Sequence, residues 1–355
     1  MGSPSDLERT MKGIAKLASE LGISTATVSR ALNGKSDVNE ATRNRVLEAA
    51  SRLGYAANAS ARSLARGATN SVGFMIELNA EMATRDNFFM AVFDGVQSVL
   101  VEHDLELIVL PCPTSQDPYH YLQRFVARNA VDAMIISATQ HVDPRIDLLQ
   151  ARSIPFVAVG RSTSGSGYSW IDLDFEGVVK ASVDRFVEQG HRRIAITVPP
   201  GEINFAHVIR DSYRRAMRRH RLPVDPALII ETKWNEQGGY GLADRMFGLS
   251  DPPTAALLTY EMIAVGLYRR LAELRKVPGR DFAVIAFRDE PAIRFLSPAV
   301  TRFQLSLHDL GVGIAEAMLA QLPAFQKQYP LGTVQKRWPM TLMPGNSDGP
   351  AAAGR

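Results

Sequence analysis

Residues 25–30 read Thr-Ala-Thr-Val-Ser-Arg, an order of side chains suited to touching the edges of bases. With Val28 turned inward, Thr25, Ala26, Thr27, Ser29 and Arg30 are left on the outer face of a helix. Short hydroxyl and methyl groups let a helix lie close in a groove, and one long guanidinium reaches base edges or phosphates. The alternative is an ordinary three-helix module whose polar face meets only solvent.

Such a face needs neighbours to hold it, and the flanking sequence supplies them. Ile14, Leu17, Ala18 and Leu21 recur at helical spacing, as do Val28 and Leu32, and then Val46, Ala49, Ala50 and Leu53. Gly22 falls where the chain must turn sharply. Ser24 follows as a candidate N-cap of the second helix, and Asn39-Glu40-Ala41-Thr42 reads as the capped start of the third. The spacing therefore predicts an all-α head over residues 1–56. Residues 1–66 carry ten Lys and Arg against six Asp and Glu, a net of +4, whereas the whole chain is only +3. A basic head on a near-neutral body is the electrostatic footprint of a phosphate-binding module. The excess is modest, so two heads in a dimer would bind better than one.

Residues 57–70 form a second, smaller segment. Asn58 is a candidate helix cap and Gly67 a candidate stop, and an Ala-rich helix of two or three turns is marginal in water on its own. It suits a hinge that orders on DNA, with Leu64 as an apolar wedge for the minor groove. A plain linker with a stray leucine is the competing reading. Asn58-Ala59-Ser60 also spells a glycosylation acceptor, which has no relevance without secretion.

The chain has 355 residues, 46% of them hydrophobic and 22% charged, which suits a globular protein of more than one domain. One cysteine, Cys112, leaves no disulfide framework within a chain and fits a reducing compartment. No signal segment opens the sequence, and no apolar run approaches the roughly 20 residues that span a bilayer. A cytoplasmic protein without a membrane partner is expected, with mobile ends at 1–6 and a disordered tail at 346–355.

From residue 71 the pattern changes to apolar runs alternating with amphipathic helices. Strands are expected at 72–78, 105–110, 133–137, 156–159, 193–198, 227–231, 255–259 and 282–287, with helices between them. That alternation predicts an α/β core with parallel sheets over 71–345. A seam at 160–174 divides it into two lobes, and segments 301–304 and 334–342 cross back between them. Ligands of open parallel sheets sit beyond the carboxyl ends of the strands, so a cleft between the lobes is the expected pocket.

The run 14–66, with Gly-Ile-Ser-Thr-Ala-Thr-Val-Ser-Arg-Ala-Leu-Asn at 22–33, Thr42-Arg43, Leu53-Gly54-Tyr55, Asn58, Ala61-Arg62 and Leu64, strongly resembles the lactose-repressor/galactose-repressor family. The resemblance extends through nearly the whole chain. It implies a helix-turn-helix head, a hinge helix and a core like periplasmic sugar-binding proteins. It also implies a homodimer on a palindromic double-stranded DNA operator, with an effector in the cleft altering operator affinity. Carried over by position, Ser24, Thr25, Ala26, Thr27, Ser29, Arg30, Asn33, Thr42, Tyr55, Asn58, Ala61 and Leu64 become DNA contacts. The family's tetrameric branch ends in a leucine-repeat helix, and nothing like it follows Leu342. A dimer is therefore expected, with helices around 88–103 and 308–321 as its candidate interface.

In the core, Asp86-Asn87-Phe88-Phe89 resembles the family's Asn-Pro-Phe-Phe and places Asp86 and Phe89 at the cleft mouth. The resemblance also assigns Arg210 to ligand oxygens, Trp234 to an aromatic platform, and Tyr260 and Arg288 to the cleft. Arg210 heads a helix rich in arginine, most of which must be a solvated face. Where the family shows Asn-Asp this chain has Tyr260-Glu261, and where it shows Gly-Phe-Asp-Asp this chain has Ala286-Phe287-Arg288-Asp289. Two arginines in one cleft would favour an acidic sugar derivative, unless Arg288 pairs with Asp289, Glu290 or Asp86.

Enzymatic readings find little support. Gly345-Asn346-Ser347-Asp348-Gly349 spells a nucleophile elbow, but outside the strand and helix that motif requires. Gly311-Val312-Gly313 does not complete a dinucleotide fingerprint, and the seven histidines show no metal-ligand spacing. No cofactor is expected, and Cys112 reads as a half-buried inert thiol. The sequence thus points to a repressor of a carbohydrate-utilisation operon. The alternative is a small-molecule binding protein or sugar-processing enzyme with a vestigial head.

Overall fold

The computed structural model describes residues 4–32, 37–53, 69–78 and 88–351. They fall into two compact units, one of residues 1–70 with 130–132 and one of the rest.

In the first unit, α1 (Pro4–Leu21), α2 (Thr25–Leu32) and α3 (Glu40–Arg52) enclose a small core of Leu17, Ala18, Val28, Ala31, Val38, Val46, Ala49 and Ala50. Gly22 takes φ +64° between α1 and α2, a left-handed conformation in which a Cβ is strained. Ser24 then accepts the Thr27 N–H at 3.0 Å, and Asn39 accepts the Thr42 N–H at 2.7 Å. Both satisfy donors that a helix start leaves over. α1 begins at Pro4, within the stretch expected to be mobile; proline has no N–H to lose in a first turn.

The second unit runs β1 (Ser71–Glu77), α4 (Phe88–Leu100), β2 (Glu106–Cys112), α5 (Pro118–Val126), β3 (Ala133–Ile136), α6 (Pro144–Ala151), β4 (Phe156–Val159), β5 (Ser169–Leu173). It continues as α7 (Phe175–Glu188), β6 (Ile194–Val198), α8 (Asn204–Arg219), β7 (Ile229–Glu231), α9 (Glu236–Phe247), β8 (Ala255–Leu258), α10 (Met262–Glu273), β9 (Ala283–Ala286). The last elements are β10 (Thr301–Gln304), α11 (Leu307–Leu319), β11 (Gln335–Trp338) and β12 (Thr341–Met343). The strands form two six-stranded sheets, ordered β11-β5-β4-β3-β1-β2 and β12-β10-β9-β8-β6-β7. Every pairing is parallel except that of β10 with β12. Buried apolar strands such as Ala133–Ile136 are what a sheet covered on both faces requires.

Three connections pass between the lobes. Leu173 leads from the first sheet into α7, which packs on the second; β10 of the second leads into α11, which packs on the first; and β11 leads directly into β12. In the first lobe α4 and α11 cross at two glycines. A Cβ on Gly95 would fall 2.0 Å from the His308 carbonyl oxygen, and one on Gly311 2.2 Å from that of Val92. Gly311 thus serves close helix approach, not a phosphate loop.

The disordered tail expected at 346–355 is corrected as far as Ala351; residues 352–355 lie outside the described set. Ser347 is fully buried, donating to the Val284 carbonyl at 2.6 Å and accepting the Thr301 N–H at 2.8 Å. Asp348 pairs with Arg185 and accepts from Thr301 Oγ1. Small polar residues read as floppy by composition here satisfy backbone groups of the second sheet. Ser347 is accordingly spent on structure.

Candidate functional site

In the head, Thr25, Ala26 and Arg30 are exposed along one side of α2, with Thr27 and Ser29 half-buried. Val28 and Ala31 turn inward and fix that face. Thr27 Oγ1 and Ser24 Oγ lie 2.8 Å apart, so the first turn ties up two of the candidate hydroxyls. Arg30 Nε lies 3.6 Å from Asp37, with both side chains more than half exposed, a pairing easily given up to a phosphate. Thr42 is half-buried at the start of α3. Asn33, Tyr55, Asn58, Ala61, Leu64 and Asp86 lie outside the described residues, as does the expected hinge helix up to residue 68.

In the second unit a cavity of about 530 Å³ opens between the lobes, within the range of small-molecule sites. Its position follows from topology, since the lining comes from the carboxyl ends of strands in both sheets. On the second lobe, five successive connections each contribute a ring. Phe287 stacks on Phe175 at 4.8 Å, Phe175 on Phe205 at 5.0 Å, Phe205 on Trp234 at 5.1 Å, and Trp234 on Tyr260 at 5.0 Å. All five line the cavity. Phe88 and Phe89, at the start of α4, face it from the first lobe.

The charges are paired. Arg288 is 5% exposed, bonded to Glu261, and its Nη1 is 3.4 Å from Glu290; its guanidinium also lies 5.2 Å over the Phe88 ring. Arg161 donates to Asp172 at 2.7 Å and forms a two-point bond with Glu176 at 2.8 and 2.9 Å. Beneath the wall, buried Arg145 grips Asp143 at 3.0 and 2.7 Å and lies 2.8 Å from Glu77. Each arginine is thus matched by two carboxylates. Burial pushes the Asp172 carboxyl up to about 6 against the pull of Arg161. Burial also raises Glu77, with Arg145 opposing. Burial works against the Glu176 carboxylate too, but the Arg161 bonds prevail and hold it below the usual range. Cys112 lines the cavity as a buried thiol whose pKa burial pushes up.

Of the residues singled out in the sequence, Phe89, Trp234, Tyr260 and Arg288 line this cavity and Arg210 does not. Arg210 Nη2 instead meets Glu231 at 3.2 Å. α8 starts at Asn204, which brings Phe205 to the cavity lining and leaves Arg210 more than a turn further along the helix. Arg288 pairs with Glu290, as one open alternative had it, and also with Glu261. Asp289 is occupied by Arg294 and Arg302. Sequence reasoning missed Phe175, Phe205, Phe287, Arg161, Asp172 and Glu77. The usable signal was position, because Phe175, Phe205 and Phe287 each sit where a strand gives way to the next element.

Residues 10–58 match the family described as bacterial regulatory proteins, lacI family, and residues 183–347 match the periplasmic binding protein-like domain. The HTH-type transcriptional regulator AglR of Rhizobium meliloti (strain 1021) is 33% identical over 344 residues, covering 95% of this chain and 94% of that protein. Among solved structures, the lac repressor dimer bound to operator and the anti-inducer ONPF superposes with TM-score 0.79 at 20% identity, over 93% of this chain and 97% of that one. The transcriptional regulator CelR–cellobiose complex gives 0.70 at 22% identity, over 94% and 99%. Among the described residues no helix is long and apolar enough to cross a membrane. A helix-turn-helix head matched to one family description, a two-lobe core matched to another, and a relative alike along almost its full length lead to one conclusion: the chain belongs to the LacI family of bacterial regulatory proteins.

Proposed function

We propose that this chain is a sequence-specific transcription regulator, a repressor of carbohydrate-utilisation genes, whose operator affinity is set by a small neutral glycoside held between the core lobes. Thr25, Ala26 and Arg30 read a palindromic operator from the exposed side of α2, two heads acting together in a homodimer, and Leu64 acts as the wedge in the minor groove. Phe89 and Tyr260 supply apolar surface to the ligand, Trp234 holds the ring stack beside it, and Arg288 acts as part of an ion-paired wall.

The observation that carries the ligand reading is the charge pairing around the cavity. An acidic ligand draws its affinity from a cation not already committed, whereas here Arg161 and Arg288 each meet two carboxylates of the protein. Aromatic rings beside acceptor carboxylates suit the C–H faces and hydroxyl donors of a neutral sugar. A thermal-shift screen of the full chain with neutral sugars, sugar acids and sugar phosphates tests this, since a ligand of the native state raises the melting temperature by mass action. Neutral saccharides are expected to raise it; a rise with acids or phosphates alone would refute the ligand assignment.

A further inference from the structure

Among the described residues, two side chains of the cavity lining carry a buried polar atom without a hydrogen bond. They are Trp234 Nε1 and Glu77 Oε1. A buried indole N–H with no acceptor is a standing cost to the fold, and its surroundings say what would relieve it. Both faces of the indole are covered, by Phe205 at 5.1 Å and by Tyr260 at 5.0 Å with planes 1° apart. An aromatic ring whose faces are taken can bind only through its edge, and the N–H is the polar point on that edge.

Glu77 sits at the carboxyl end of β1 on the opposite lobe. Its Oε1 lies 2.8 Å from Arg145 Nη1 but out of line for donation, so the pair attract without a hydrogen bond. Arg145 commits Nε and Nη2 to Asp143 and to the Ser137 and Ala138 carbonyls. That grip anchors the cation below the wall and leaves the Glu77 carboxylate with accepting capacity.

We infer that a neutral glycoside is held from both lobes by these two groups, one ligand oxygen accepting from Trp234 Nε1 and one ligand hydroxyl donating to Glu77. The inference rests on reading the cavity as the effector site, and it changes what Trp234 does there. The indole acts as a donor at its edge, and its faces belong to the protein's own stack. A purely apolar ligand cannot meet both groups, and an anion is repelled at Glu77. A molecule with both a hydrogen-bond donor and an acceptor is required, which the hydroxyl and ether oxygens of a saccharide supply, and one that reaches both groups links β1 of the first lobe to the β7–α9 loop of the second. Both atoms are shielded in this structure, so ligand entry shifts the side chains that cover them.

The test is calorimetric titration of the full-length chain with cellobiose and a panel of other neutral di- and trisaccharides, alongside thermal melts of the ligand-free variants. Trp234→Phe keeps a six-membered ring in the stack and removes the N–H together with the five-membered ring that carries it. It is expected to lower the ligand-free melting temperature modestly through the lost ring volume, less than a deletion of the whole ring would because an unmet donor goes with it, and to weaken saccharide binding about tenfold, the worth of one hydrogen bond. Glu77→Leu is expected to lose a similar factor, and Glu77→Gln, which keeps an acceptor oxygen, less. A saccharide that binds wild type and Trp234→Phe with the same constant overturns this inference alone. A wild-type chain that binds nothing in the panel overturns the effector reading and this inference with it.

Discussion

Replacing Arg288 with methionine distinguishes a guanidinium committed to the protein from one held ready for a ligand. Arg288 is 5% exposed, and the side chains of Glu261 and Glu290 beside it are 2% and 8% exposed. Methionine fills much of the space but leaves two buried carboxylates without their shared cation. Breaking a buried ion pair from one side costs about 3–5 kcal/mol, because the remaining charge stays desolvated. For a unit of this size each kcal/mol moves the midpoint by about 2 °C, so Arg288→Met should melt about 6–10 °C below wild type. Scanning calorimetry at neutral pH reads this directly. Adding Glu261→Gln should recover part of the loss, since removing both partners of a buried pair is far less costly than removing one. Protonation of the stranded carboxylates should narrow the deficit at lower pH. An Arg288→Met chain that melts within about 2 °C of wild type while losing affinity for sugar acids or phosphates would refute the reasoning.

The head and the core offer further tests. Arg30 and Asp37 are exposed and 3.6 Å apart, so Asp37→Asn should leave the melting temperature in place, as surface pairs are worth about 0–1 kcal/mol, while raising DNA affinity at low salt. Arg30→Ala should flatten the dependence of log affinity on log salt by about 0.9, the loss of one phosphate contact, in a fluorescence-anisotropy titration. Gly22→Ala forces a Cβ into φ +64° with open space around it. It should cost the head about 1–2 kcal/mol of conformational strain, visible as earlier head melting with the core unchanged. His191 is buried between Thr254 and the Gly349 carbonyl, and burial lowers its pKa below the ordinary 6.5. Its contribution is therefore complete above about 6.5 and lost as the pH falls, whereas Asp172, raised to about 6 by burial, acts in the opposite sense. The difference in midpoint between wild type and His191→Gln should accordingly shrink from pH 7.5 to about 5; a constant difference would count against it.

How much of this was legible in the sequence depended on whether the deciding forces were local. The head could be read because turn, caps and apolar spacing lie within forty residues, and Gly22, Ser24 and Asn39 do in the structure what their types suggest. The buried strands could be read from runs such as Ile194–Val198, and the crossings at 301–304 and 334–342 are where the sequence placed them. β5 was hidden as a strand within the expected seam, because Ser169–Leu173 mixes polar and apolar residues and follows a Ser/Gly-rich loop. The tail misled by composition, since only tertiary structure brings Ser347 to Val284 and Thr301. At the cavity, the aromatic column draws one ring from each of five connections spread over more than a hundred residues, a pattern no local window contains. The pairing of Arg288 with Glu261 joins the ends of two strands, so the charge that mattered for ligand choice was set by the sheet, not by the neighbouring residues.

The measurement closest to the central claim is operator affinity with and without a cavity ligand. Duplexes selected from a random library on the full-length chain supply the operator, and the neutral saccharide that most raises the melting temperature supplies the ligand. Saturating saccharide should change the operator dissociation constant by about fivefold or more, the scale of allosteric coupling, and the selected duplexes should be palindromic. An unchanged dissociation constant, with the saccharide demonstrably bound, would contradict the account.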